Sequence, residues 1–211
     1  MNIKKYEQSG LIIESNSGYK VAIDIGYYTP VEKFDVISVD AMLISHIHKD
    51  HFSLEQIKKL SPNKLYLGKD CIESLNNEKL SSEIIEVKTG DQININDFKI
   101  LIFDVDHGPN VKAPVESNFG YLIEVDNKKI YYAGEMFYQS GIDVTSLEVD
   151  YVIIPIGGYY TFGPKEALTF LSKFKKIGNI TPMHYQKNPE IKEEFVKLAV
   201  ACGINAESII F

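Results

Sequence analysis

The placement of the histidines constrains this 211-residue chain more than any other feature. There are five, and each comes just after a β-rich run: His46, His48 and His51 after residues 42–45, His107 after 101–106, and His184 after 180–183. Three of them share one six-residue window with Asp50, giving His-x-His-x-Asp-His. At the chain's own residue frequencies such a window arises by chance on the order of 10⁻⁴ times. In layered α/β proteins, strand ends gather on one edge of a sheet, and sites collect there. The sequence therefore calls for a fold that brings several strand ends to one place.

The remaining pattern supplies such a fold. Leu11–Glu14 and residues 19–25 read as strands joined at Ser15-Asn16-Ser17-Gly18, a hairpin signal. Ser53 with Gln56 three residues on predicts a capping box, opening a helix whose apolar face is Leu54, Ile57 and Leu60. Lys64–Leu67, residues 84–87 and Phe98–Asp104 read as strands. Phe119–Val125 and residues 129–133 form a second hairpin about Asp126-Asn127, and residues 151–156 form a strand covered on both faces. Pro164 starts a helix bearing Leu168, Leu171 and Phe174. Asn188-Pro189 caps a last one, with Ile191, Phe195, Leu198 and Cys202 inward and Gly203 at C′. Two sheets with helices outside follow from this order.

Composition narrows the class. Lys and Arg total 22 against 29 Asp and Glu, a net charge of −7, so a nucleic-acid partner is not expected. No apolar run nears the ~20 residues of a membrane span, and the first residues lack a signal-peptide core, so a cytoplasmic protein is expected. Cys71 and Cys202 read as reduced packing thiols.

The His-rich window reads as a metal site. His46 and His48, two apart at a strand end, share a face, whereas Asp50 and His51 can approach from another direction. Imidazole with carboxylate suits Zn²⁺, Mn²⁺ or Fe²⁺. Glu135 stands after Gly134 at another strand end, either as a site carboxylate or as an ordinary loop acid. Asp24 either orients a ligand histidine or caps a turn. Tyr159, Tyr160 and Thr161 either line a pocket or simply pack.

His-x-His-x-Asp-His, then a lone His, a lone acid after Gly and a lone His: in this order the chain resembles the metallo-β-lactamase-fold hydrolase superfamily over residues 11–187. Ile153-Ile-Pro-Ile-Gly-Gly, Tyr160-Thr-Phe-Gly-Pro-Lys-Glu-Ala and Pro182-Met-His-Tyr make it similar to the L-ascorbate-6-phosphate lactonase-like and UPF0173-like small metal-dependent hydrolases. The resemblance implies an α/β, four-layer αβ/βα sandwich of two mixed sheets, with residues 1–211 as one domain. It also implies two divalent metal ions, Zn²⁺ or alternatively Mn²⁺ or Fe²⁺. His46, His48 and His107 would hold the first, and Asp50, His51 and His184 the second, with Glu135 between them. The family usually has Asp where this chain has Glu135.

A metal-bound hydroxide, oriented by Asp50 as the catalytic residue, would then attack a small ester, lactone or phosphoester. Three other readings stand beside this small-molecule hydrolase. One is an iron-dependent redox enzyme, against which His48 stands where the di-iron pattern has Glu. Another is a nuclease, which would need basic arms. The last is a non-catalytic metal-binding protein.

Overall fold

The computed structural model describes residues 1–34, 38–110 and 115–211. Among these described residues twelve strands form two six-stranded mixed sheets. The first takes β1 (Asn2–Lys5), β2 (Leu11–Glu14), β3 (Lys20–Ile23), β4 (Ala41–Leu43), β5 (Lys64–Leu67) and β6 (Glu83–Glu86), in that spatial order. The second takes β7 (Gln92–Ile95), β8 (Phe98–Asp104), β9 (Phe119–Val125), β10 (Lys128–Tyr132), β11 (Glu148–Pro155) and β12 (Lys176–Met183), also neighbour by neighbour. In each sheet the early strands are antiparallel and the late ones parallel.

Alternation along each strand makes three apolar layers from two sheets. Leu11, Ile13, Val21, Ile23 and Leu43 face Phe98, Ile100, Tyr121, Ile123, Ile130, Tyr132 and Ile153, and fill the space between the sheets. The alternate residues Ile12, Ala22, Met42 and Leu65 point outward, where Ile57 and Leu60 of α1 (Leu54–Leu60) and Cys71 of α2 (Lys69–Ser74) cover them. On the other side Val152 and Ile154 meet Leu168 and Leu171 of α3 (Pro164–Leu171) and Phe195 and Ala199 of α4 (Glu190–Ala201). Helix, sheet, sheet, helix is the expected four-layer α/β sandwich.

Some local expectations are corrected. Ser53 is the N-cap of α1, but its hydroxyl donates to the Gln56 side chain and not to the backbone. The buried Gln56 side chain is taken up at its oxygen by that hydroxyl and at its amide by the Thr29 carbonyl at 3.0 Å, so no reciprocal capping box with the backbone forms. Cys71 is a buried free thiol, as expected, but Cys202 is exposed. The last helix stops at Ala201 and the chain turns at Gly203 (φ +85°), which carries the thiol off the packed face defined by Phe195 and Ala199. Phe174 is buried as expected but lies beyond the end of α3.

Candidate metal centre

Seven side chains from four strand-end segments converge between the two sheets. Past β4 the chain stays buried through Ile44, Ser45 and His46, then turns back on itself: the N–H groups of His51 and Phe52 both donate to the His48 carbonyl, at 2.9 and 2.8 Å. That turn puts Asp50 and His51 with His184 in one group while His46 and His48 join His107 in another, the His46 and His51 rings remaining 4.0 Å apart. Gly26 makes room for it, since a Cβ there would lie 2.1 Å from the Asp50 carbonyl carbon. From the second sheet come His107 after β8, Glu135 after β10 and His184 after β12. Gly134 turns the chain into Glu135 at φ +60°, where a Cβ would also strike the Phe119 carbonyl oxygen at 2.5 Å.

The ligand-type atoms fall into two groups. His46 Nε2, His48 Nδ1 and His107 Nε2 stand 3.1–3.2 Å from one another, with their rings close to perpendicular. Glu135 Oε2 completes this group at 2.5 Å from His107 Nε2, 3.1 Å from His46 Nε2 and 3.8 Å from His48 Nδ1. A tetrahedral Zn²⁺ site with bonds of about 2.0–2.1 Å has nitrogen–nitrogen edges of about 3.3–3.4 Å, so the three nitrogens are spaced for such an ion, with the Glu135 oxygen beside them. Asp50, His51, His184 and the same Glu135 make the second group. Glu135 Oε1 faces it, 3.2 Å from His184 Nδ1 and 3.6 Å from His51 Nε2. One carboxylate thus serves both groups, one oxygen each.

Hydrogen bonds fix which nitrogens are bare. The Ser45 hydroxyl donates to Asp24 Oδ2 at 2.6 Å and so accepts from His46 Nδ1 at 3.0 Å, leaving His46 Nε2 as a lone pair. His51 Nδ1 donates to Asp24 Oδ2 at 2.9 Å, which turns its Nε2 inward. Asp24, fully buried at φ +47°, also accepts from the Ser45 N–H at 2.7 Å and the Tyr132 hydroxyl at 2.6 Å. Of its two readings, Asp24 is the acid that orients a histidine.

Charge follows the same plan. Burial and nearby His51 lower His46 to about 4, and burial, outweighing Glu135, lowers His184 to about 4, so both rings are neutral donors at pH 7. Burial opposes charge on His51, but the Asp24 carboxylate holds it well above its ordinary value. Burial likewise opposes ionisation of Glu135, yet nearby His184 and close contacts with His107, His46 and His48 hold it well below the usual carboxylate range.

Sequence reasoning missed Ser45, Tyr132 and Gln8. Ser45 directly precedes the histidine window, a position from which its hydroxyl can reach both rings. Gln8 sits in a polar N-terminal turn with no distinguishing pattern, yet it is buried against Asp50 and His184. Tyr159 and Tyr160 are exposed, whereas Thr161 is buried and its hydroxyl bonds the Phe162 carbonyl, so it does not face a pocket.

A sandwich with this cluster at its strand ends defines the class: the beta-lactamase superfamily domain model matches residues 2–184, and the chain belongs to that superfamily. It is 31% identical to a UPF0173 metal-dependent hydrolase of Thermococcus onnurineus, over 84% of this chain and 81% of that protein, which places it in the UPF0173 family. A UPF0173 metal-dependent hydrolase of Korarchaeum cryptofilum is 29% identical over 86% of this chain and 82% of its own length. Among solved structures, the metallo hydrolase Igni18 of Ignicoccus hospitalis shares the fold with a TM-score of 0.77 at 21% identity, covering 99% of this chain and 93% of that one.

Proposed function

We propose that the chain is a hydrolase that holds one divalent cation in each group, Zn²⁺ or alternatively Mn²⁺ or Fe²⁺, and cleaves a small ester, lactone or phosphoester. The observation that carries this reading is Glu135, which gives one oxygen to each of two four-membered ligand sets. His46, His48 and His107 would hold the first cation, and Asp50, His51 and His184 the second. Bound there, paired cations supply Lewis acidity and lower the pKa of water towards neutrality.

The protein's own residues prepare the site for that chemistry. Ser45 and Asp24 lock His46 and His51 in the tautomers that turn a lone pair inward. Burial opposes charge on Asp50, but nearby His51 outweighs it and keeps this half-buried acid ionised at the mouth of the second group. There it can accept a hydrogen bond from an entering water. We take residues 1–211 as one domain acting on a small molecule in the cytoplasm. Among the described residues no helix is long and apolar enough to cross a membrane, and the net charge of −7 disfavours nucleic acid.

Elemental analysis after reconstitution with Zn²⁺, Mn²⁺ and Fe²⁺, followed by assay on lactones, phosphodiesters and thioesters, tests the reading. Two equivalents with turnover of one substrate class supports it. Well under one equivalent, or full loading with no turnover on any class, overturns it.

A further inference from the structure

The turn between β1 and β2 inserts a side chain into the second group that the hydrolase reading leaves unused. Gln8 is only 4% exposed, and its Nε2 lies 3.3 Å from Asp50 Oδ2 and 3.4 Å from His184 Nδ1. Its Oε1 is buried with no hydrogen-bond partner among the described residues. A buried amide oxygen left unpaired is costly, so the amide's position is dictated by what its N–H end does. That end faces a carboxylate and an imidazole, both acceptors in this state, and only a donor is favourable between them.

The backbone is held there independently of any cation. Tyr6 donates to the Gly10 carbonyl at 2.8 Å across the turn, and Gln8 adopts φ +53°. The Gln8 carbonyl accepts from Lys5 Nζ at 2.6 Å and from the His184 N–H at 3.5 Å. Next to it the Ser9 hydroxyl donates to the Asp50 carbonyl at 3.4 Å. Asp50 follows β4 of the first sheet and His184 follows β12 of the second, and the turn touches both.

We propose that Gln8 is a positioning residue of the second group, its amide setting the spacing at which Asp50 and His184 share one cation. The assignment rests on the reading that this group holds a cation. Asp50 and His184 would both hold that cation, and the Gln8 amide, bonded to Asp50 Oδ2, would restrain the carboxylate while leaving its other oxygen unbonded to Gln8. Being neutral, the amide does this without adding a third carboxylate to a pair that already includes Glu135.

Titration of the metal-free protein with Co²⁺, followed by visible absorbance and calorimetry, tests this on the parent, Gln8→Met and Gln8→Asn. Met keeps the length without the donor. Asn keeps the donor on a shorter arm and tolerates a left-handed backbone. The parent is expected to take two equivalents. Each variant should take the first unchanged and the second with an affinity about 10–100-fold weaker, the usual loss for a partner that orients a ligand. Spectra at saturation should match the parent, because the ligand set is intact. Unchanged second-site affinity in both variants overturns the assignment. So does a saturated spectrum that differs from the parent, which would make Gln8 a ligand. A parallel fall in both equivalents with a lower melting temperature reduces Gln8 to a folding role and overturns it too. A parent that takes only one equivalent overturns the two-cation reading itself, and this assignment with it.

Discussion

Glu135 sets one oxygen against His107 and His46 and the other against His184 and His51, so its length matters as much as its charge. Asp at this position is shorter by one methylene, about 1.5 Å, and cannot reach both groups from the same backbone. Glu135→Asp should therefore keep one cation tightly and lose the other, with residual activity, whereas Glu135→Gln keeps the reach but weakens both sites. Metal stoichiometry and kcat/KM for the two variants check this, and a Glu135→Gln protein indistinguishable from the parent would reduce the residue to a loop acid. His51 carries a pH signature. Its pKa is raised by Asp24, so without a cation the ring stays protonated up to that raised value. A cation must then displace about one proton at neutral pH, and second-site affinity must rise with pH. The metal-free protein behaves oppositely: the stability that His51 gains from Asp24 is fully present below its unfolded pKa of about 6.5 and is lost as pH rises through the folded one. Calorimetry in two buffers of different ionisation heat measures the proton, and identical heats would refute it. The seven ligand candidates were legible because histidine is scarce and each stands at a strand end. The bonds from Tyr132 and Gln8 were not, because contacts between residues far apart in sequence leave no periodic trace, while Ser45 stands beside the window as an ordinary strand-end serine.

The strands show how a hydroxyl's worth depends on its partner. Tyr121 on β9 and Tyr132 on β10 are direct cross-strand neighbours, both fully buried, with rings stacked 5.7 Å apart. Tyr132 donates to Asp24 across the sandwich, while the Tyr121 hydroxyl has no partner among the described residues. Tyr132→Phe should cost about 1.5–3 kcal/mol, the range for a bond to a charged group. Tyr121→Phe should be neutral or slightly stabilising, since it removes an unsatisfied buried group. Urea unfolding with equal m-values compares them, and equal losses would contradict the asymmetry. At this scale the sequence was readable wherever apolar alternation was strong: Leu11–Glu14, Lys64–Leu67, Phe98–Asp104 and Phe119–Val125 fall where they were expected. The edge strands Asn2–Lys5 and Gln92–Ile95 escaped notice, since each is short, polar and buried along one side at most. The helix Lys69–Ser74 also escaped, being too short to show a periodic face.

Across the whole molecule, each sheet is drawn from one uninterrupted stretch, residues 2–86 for the first and 92–183 for the second. The first contributes the loop bearing His46, His48, Asp50 and His51, and the second contributes His107, Glu135 and His184. A cation gripped by both stretches binds only the assembled sandwich, so it should add about 2.7 kcal/mol to stability at a free concentration a hundred times its Kd. Urea unfolding with and without a chelator reads this directly, and superimposable curves would mean that nothing binds. The same partition imposes an order on the birth of the protein. Ribosomes add about 5–20 residues each second, so the interval between His51 and His184 lasts on the order of ten seconds. Throughout that interval the imidazole-rich loop lacks His184, and for its first part it lacks Glu135 as well. On the proposed reading, the second group would be complete only near the end of synthesis, when the last strand of the second sheet brings His184 into place.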